Sequence, residues 1–473
     1  MRPAAIASSL IALSVLAAEP LATAQSPAVG RQIVASATSL GRGFSDMAAL
    51  VELRKWNALV TDWLQAGDLT RVSTDADPFA PGRTIERLRQ THRGIAVWSG
   101  DLRRQLNGFG QVESIFGTYY PNLDVDTTPA IAEGRAAFLL AAAGHGAPGP
   151  AGPVDLEILP TSSGFRLAWT SDVVSVDDAI MRRIFVDAST GATLLSYDDT
   201  WTQQAPAAVV DMRGDAARVT RALSGQVRLL PPDARAPGDP QSAISVDEAQ
   251  ACLDATMDFF QRRFGRAGLD NHGRRARLLI NPAPATNVSA ERYPTLTAGA
   301  YYGGGDIVLG TRAGGRPFLD VLSLIAHEVA HGVTEYSSGL IYLDESGALN
   351  EAFSDIMAAS ARLDVQTAGG AADPPTWPEA FARVQPPVST SADNGGVHAN
   401  AGVVAHAFWL AATTADRAEI ERVFYRAFTS LVPANATFSM ARAATIQSAI
   451  DLDGAGSGVE RAITAAWAAA GIQ

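Results

Sequence analysis

His327-Glu328-Val329-Ala330-His331 closes an apolar helical stretch, Phe318-Leu319-Asp320-Val321-Leu322-Ser323-Leu324-Ile325-Ala326. Two histidines four apart on a helix lie within about 40° of each other on one face. Two imidazoles so placed can grip one zinc ion. Glu328 is turned by roughly 100°. It can reach a water beside the metal but is not a natural third ligand, which is the geometry of a general base. Taken alone, the motif also fits an ordinary helix with polar residues at its end, so a third ligand decides. Thr334 and Ser337 exclude a histidine extension. A carboxylate is available: Asn350-Glu351-Ala352-Phe353-Ser354-Asp355 opens a second helix, with Glu351 and Asp355 four apart on one face. Glu351 can complete a His₂Glu site with a fourth position open. Asp355 can accept the far ring N–H of a ligand histidine. By itself this acidic pair also fits a solvated face.

The chain around this centre has 473 residues, enough for about three domains. With 47% hydrophobic and 18% charged residues it can bury large cores, which excludes a mostly disordered chain. The net charge is −12 and no long basic block occurs, which argues against a nucleic-acid or membrane partner. A single cysteine, Cys252, excludes intramolecular disulfides and multi-cysteine zinc sites, and reads as a small buried residue. Arg2, the apolar run Ala4 to Ala18, and Ala22-Thr23-Ala24 have the order of a secretory signal, with cleavage expected after Ala24.

Pro/Gly-rich stretches punctuate the rest at Gly144 to Pro153 (a linker), Pro231 to Pro240 and Gly369 to Pro378 (loops). Strands are expected at Ile95 to Trp98, Gln111 to Ile115, Phe165 to Trp169 and Arg183 to Val186. After about residue 245 helices dominate: Asp247 to Phe260, Leu319 to Val333, Leu349 to Ala361, Gly402 to Ala412 and Ile420 to Leu431. Two weaker pieces are Asp393-Asn394-Gly395-Gly396-Val397-His398 and Gly339-Leu340-Ile341-Tyr342. Each fits a bland reading, a polar loop or a core aromatic. Yet a tetrahedral oxyanion beside zinc needs hydrogen-bond donors. Tyr342, and a His398 held protonated by Asp393, would supply them.

At these residues the chain resembles the thermolysin-like secreted zinc metalloproteases, the M4 peptidase family or neutral proteases. The resemblance covers His327 to His331, Gly339 to Asp355, Asp393 to His398 and Phe424-Tyr425-Arg426-Ala427-Phe428-Thr429. Arg89 to Asp101 is similar to the fungalysin/thermolysin propeptide, and Phe165 to Asp199 to the PepSY propeptide module. The resemblance implies zinc ligands His327, His331 and Glu351, with Glu328 as general base for a zinc-activated water. It also implies Tyr342 and His398 as stabilisers of the tetrahedral intermediate, Asp393 orienting His398, and Asp355 supporting His327. Ala300 and Tyr301 fall on the substrate-binding edge strand, where an extended peptide pairs through its backbone.

The expected fold is α+β: an α+β propeptide, then a two-lobed catalytic unit with a β-rich N-terminal lobe, a central zinc-binding helix and a mainly helical C-terminal lobe. The expected boundaries are a signal peptide at 1–24, the fungalysin/thermolysin-type propeptide at 25–143 and a PepSY-like module at 154–202. The catalytic N-terminal lobe follows at 203–333 and the helical lobe at 334–473. The resemblance implies a secreted, extracellular or periplasmic zinc endopeptidase made as a zymogen. It would cleave proteins or peptides, probing hydrophobic residues on the primed side with Leu324. Its own propeptide would act as chaperone and inhibitor, and the mature form would be a monomer. The chain departs from the family in three places. Gly299 replaces an asparagine on the edge strand. The segment between Asp355 and Asp393 is shortened, with Arg383 standing in for the family's arginine. Ser323 and Arg362 occupy two positions of acidic calcium ligands, so the double-calcium site is expected to be lost. The alternative function is a non-catalytic zinc-containing binding protein on the same fold.

Overall fold

The computed structural model describes residues 28–41, 46–144, 149–150, 152–174, 181–199, 209–211, 244–280, 300–303, 306–309, 316–368, 377–383 and 386–473. The expected signal peptide and the Pro231 to Pro240 loop lie outside them.

The N-terminal unit is built on one sheet. Its strands are β1 (Arg31–Ser36), β2 (Leu69–Ala76), β3 (Thr84–His92), β4 (Ile95–Leu106), β5 (Val112–Tyr119), β6 (Asp155–Thr161), β7 (Gly164–Val174), β8 (Met181–Asp187) and β9 (Thr193–Asp198). The main order is β1-β5-β4-β6-β7-β8-β9, with β2 and β3 attached beside β4. The two expected propeptide modules therefore share a sheet. They are joined by parallel pairing of β4 with β6 at Ala96–Glu157 and Val97–Ile158. Helix α1 (Asp46–Ala66) covers one half, burying Leu53 and Val60 and stacking Trp63 on Tyr119 with ring centroids 3.7 Å apart. Helix α2 (Glu133–Ala143) covers the other half with Ala136 and Leu140. The alternation read in Phe165, Leu167 and Trp169 puts these three into the core under α2. Ala168, on the opposite face, joins Phe185 and Tyr197 against Ile341 and Leu343 of the C-terminal half.

A small second sheet follows, ordered β10-β11-β13-β12: β10 (Val209–Asp211), β11 (Arg277–Ile280), β12 (Ala300–Gly303) and β13 (Asp306–Leu309). Strand β12 is its edge. The helices are α3 (Val246–Phe264), α4 (Phe318–Glu335), α5 (Asp344–Ala368), α6 (Asp393–Thr414), α7 (Arg417–Arg426), α8 (Phe438–Asp453) and α9 (Gly458–Ala469). Helix α4 is enclosed on nearly all sides, as its apolar sequence requires. It packs so closely that a Cβ at Gly332 would lie 2.9 Å from both Leu269 and Tyr302. The helix expected over Ile420 to Leu431 instead ends at Arg426 and continues as a π turn, Ala427–Leu431. There the Val432 N–H closes on the Ala427 carbonyl, and Pro433 follows with no N–H to continue a ladder.

The two halves share a core. Leu40, Ile85 and Phe116 of the N-terminal unit belong to the same apolar cluster as the helices. At the seam, fully buried Arg426 donates to Asp77 of the loop after β2 (2.6 and 2.9 Å) and to Asp451 of α8 (2.9 Å). Ser36 bonds Gln447 at 2.5 Å, and Gln105 bonds Asp451 at 2.8 Å. Removing one partner of a buried ion pair leaves the other charge uncompensated. Asp77→Ala is therefore expected to destabilise the full-length chain by about 3–5 kcal/mol. The measurement is the urea midpoint at unchanged slope, and a change within error would contradict the seam's role.

Candidate active site

Helix α4 carries His327, Glu328 and His331, and α5 carries Glu351 and Asp355. The Nε2 atoms of the two histidines face each other at 3.0 Å. Glu351 Oε2 lies 3.3 Å from His327 Nε2, and its Oε1 lies 3.5 Å from His331 Nε2. One donor atom from each of the three fits within 4.8 Å of the others, and among the described residues no other group of three or more His, Cys, Asp or Glu could hold a metal.

The tautomers follow from the partners of the opposite ring nitrogens. His327 Nδ1 meets Asp355 Oδ1 at 3.0 Å. His331 Nδ1 meets Asn350 Oδ1 at 3.0 Å. That oxygen also accepts the Thr334 hydroxyl at 2.8 Å, while Asn350 Nδ2 donates to the Leu340 carbonyl. The amide orientation is thus fixed, and Asn350 must accept the Nδ1 proton. Both Nε2 lone pairs then point at one spot beside an ionised carboxylate. Three lone-pair donors without a proton among them suit a cation, so the residues present fit zinc.

Electrostatics hold His331 and Glu351 in that state, whereas the raised pKa of His327 means that a cation must displace its ring proton. Burial pushes the His331 ring down to about 4, keeping it neutral at physiological pH. Burial works against the ionised Glu351, but the neighbouring histidines outweigh it and hold its carboxyl below the usual range. Burial also disfavours a charged His327, yet hydrogen bonds to Asp355 and Glu351 raise its pKa well above that of a free imidazole. Glu328 is buried beside the cluster and is lifted to about 7, mainly by desolvation, with Glu351 adding to the effect and His327 opposing it.

On the other side of the cleft, Tyr342 donates its hydroxyl to Glu351 Oε1. Burial, then the Glu351 charge, raises its pKa well above 10. His398 Nε2 lies 3.6 Å from the same oxygen and 3.5 Å from the Tyr342 hydroxyl. Asp393 accepts from His398 Nδ1 at 2.7 Å and from its backbone N–H at 3.0 Å. Desolvation opposes the His398 charge, but Glu351 and Asp393 outweigh it and raise the pKa. The start of α6 allows this. Asp393, Asn394, Gly395 and Gly396 are all left-handed, with φ of 54°, 47°, 91° and 79°. At Gly395 a Cβ would collide with Asp344.

These residues line a cleft of about 380 Å³ together with Ala300 and Tyr302. Its far wall is Arg182, Ser196, Tyr197 and Asp198 of β8 and β9. Tyr301 lies on β12 beside Ala300. Leu324 packs against the main core and Arg383 is exposed after a short 3₁₀ turn (Glu379–Ala382). Neither lines the cleft. The sequence reading gave no role to Asn350 or Asn394. Asn394 Nδ2 donates to the carbonyls of Tyr342 (3.0 Å) and Asp198 (3.1 Å), tying the cleft wall to the helical half. The signal for Asn350 was its place: a polar residue adjoining Glu351 on an otherwise apolar helix face. At the expected calcium positions, Ser323 bonds back to the Leu319 carbonyl, and Arg362 pairs with Asp320 at 2.6 Å. A guanidinium there does not fit a cation site.

Comparison with known proteins gives three family matches. The thermolysin metallopeptidase catalytic domain matches residues 234–335, its alpha-helical domain matches 338–378 and 371–472, and the fungalysin/thermolysin propeptide motif matches 67–119. Neutral protease B of Bacillus subtilis is 27% identical over 85% of this chain and 84% of its own length. Thermolysin of Alicyclobacillus acidocaldarius is 27% identical over 83% and 84%. An extracellular elastase of Staphylococcus epidermidis is 31% identical over 53% and 51%.

Asn350→Ala removes the acceptor that sets the His331 tautomer. It is expected to weaken metal binding by about 10–100-fold, read by competition with a chromophoric chelator. Unchanged affinity would remove Asn350 from the site.

Proposed function

The chain belongs to the thermolysin family of metallopeptidases, and from that premise we propose which of its own residues perform the family's reaction. It is a zinc metalloendopeptidase made as a zymogen. Zinc is held by His327, His331 and Glu351. When bound, it supplies Lewis-acid polarisation of the scissile carbonyl and activation of water near neutral pH. Glu328 accepts a proton from the attacking water at its carboxylate and delivers it to the leaving amine nitrogen. A carboxyl poised near neutrality can both take and release that proton. Tyr342 Oη and His398 Nε2 donate to the developing oxyanion, and Asp393 keeps His398 charged for that task. Edge strand β12, with Ala300 on the cleft, pairs with the substrate backbone.

The single observation that carries this reading is convergence. Two imidazoles, a carboxylate, a buried glutamate and two further donors from four separate segments meet in one cleft. A non-catalytic binding protein on the same fold would need only the metal set and would leave Glu328, Tyr342 and His398 without a task. Inhibition before maturation is supported by β8 and β9, which wall the cleft over the metal residues. Residues 25–202 form this inhibitory region on our reading, with 203–473 as the catalytic unit. Export through the 1–24 segment is supported by an extracellular relative. No described helix is long and apolar enough to cross a membrane. With Arg362 supplying positive charge between α4 and α5, folding needs no calcium there.

Glu328→Ala is expected to lower casein hydrolysis by about 10²–10⁴-fold and to arrest self-processing while zinc content stays at one per chain. Hydrolysis at the parent rate would eliminate the assignment. Withdrawing calcium at constant zinc is expected to leave the melting temperature unchanged, whereas Arg362→Ala lowers it. A calcium-dependent rise in the parent chain would show that a cation site persists.

A further inference from the structure

A second cavity, of about 350 Å³, lies at the seam between the N-terminal unit and the helical half, on a different set of residues from the active-site cleft. Its walls include Arg87 of β3, Arg103 of β4 and Arg266 from the segment after α3. Among the described residues, Asp75 is the one carboxylate that lines it. Asp75 is exposed and accepts a hydrogen bond from Ser73.

The three guanidiniums are poorly compensated. Arg103 is 5% exposed, and every oxygen it meets is a neutral carbonyl: Val432 and Ser337 at 3.2 Å and Ser338 at 2.9 Å. Arg266 is 6% exposed and bonds only the carbonyls of Gly268, Leu269 and Val333 and the Tyr425 hydroxyl. The Arg87 side chain makes no hydrogen bond or ion pair among the described residues. Its head group approaches Gly339 instead. Asp101 and Asp75 act on Arg87 and Arg103 through space, but Asp101 is paired with Arg89 at 3.5 Å and Asp75 is exposed. Burial, reinforced by the nearby Arg87 charge, pushes Arg103 down to about 9. Buried charge in proteins is paired, and an unpaired cluster of one sign is strongly penalised.

We propose that this cavity binds a small multivalent oxyanion of the inorganic phosphate type, held between Arg87, Arg103 and Arg266. Arg87 offers an unengaged guanidinium fork, which matches a tetrahedral oxyanion with two parallel hydrogen bonds. Arg103 adds its free Nη1, Arg266 adds charge and the remaining N–H of its Nη1, and Ser430 lines the cavity on the helical side. The anion bridges both units, because Arg87 and Arg103 belong to the inhibitory sheet and Arg266 to the catalytic part. Arg103 also holds the Ser337 and Ser338 carbonyls, in the connection between the helix of His327 and the helix of Glu351. Occupancy therefore clamps the N-terminal unit onto the loop that leads to Tyr342, and stabilises the uncleaved form.

The test uses the full-length chain with Glu328→Ala, so that it stays intact. Phosphate is titrated against chloride at matched ionic strength while the melting temperature is followed. The expected result is a saturable upward shift, with matching heat of binding in calorimetry. Arg87→Gln loses the saturable shift. Arg31→Gln, on β1 of the same sheet but outside the cavity, keeps it. Arg87→Lys retains a weaker shift, which separates loss of charge from misfolding. A linear, equal rise in all variants is the general action of an excluded salt and overturns the proposal. So does the absence of any binding heat in the parent chain.

Discussion

Two helices packed face to face must bury a carboxylate and two imidazoles at their seam. The rest of the active half depends on how that burial is tolerated. The far nitrogen of each ring is engaged by Asp355 or Asn350, so the near lone pairs have nowhere to point but at each other and at Glu351. Two rings and a carboxylate held 3.0 to 3.5 Å apart bind a cation at the expense of the His327 proton. The apolar jacket of α4 and the close approach at Gly332 keep the pieces from relaxing apart. Stability and chemistry are thus the same arrangement seen twice: the surroundings that make the metal site rigid also desolvate Glu328 beside it.

Much of this was legible in the chain itself. The spacing of His327 and His331, the carboxylate pair at Glu351 and Asp355, and the apolar run before them reflect local helix geometry, and the structure places them together as that geometry demands. The strand at Phe165 was legible from its alternation, and those at Ile95, Gln111 and Arg183 from short runs of strand-forming residues. What stayed hidden depends on contacts between distant segments. Asn350 acquires meaning only once His331, Thr334 and Leu340 surround it. The joining of both propeptide modules through β4 and β6 rests on two residue pairs that no periodicity marks. Arg383 and Leu324 were placed by position in a motif, and neither lines the cleft. The π turn after Arg426 is a change of backbone hydrogen-bond register, Val432 N–H to the Ala427 carbonyl, that side-chain spacing does not mark.

The N-terminal unit touches the helical half in two different ways. Its second module, through β8 and β9, covers the cleft with Tyr197 and Asp198 and is tied there by Asn394. Its first module contributes apolar residues and ionic partners to the main core. Occlusion and attachment are therefore separate jobs on one continuous sheet.

That separation gives the Arg426–Asp77 contact a temporal meaning. Severing the backbone near residue 200 would leave a guanidinium with no exposed surface still gripped by a carboxylate from the other fragment. Parting the fragments would wet both ions and an apolar face at once, which slows their separation. On the boundary proposed above, cleavage and release would be distinct events, separated by the escape of a buried ion pair.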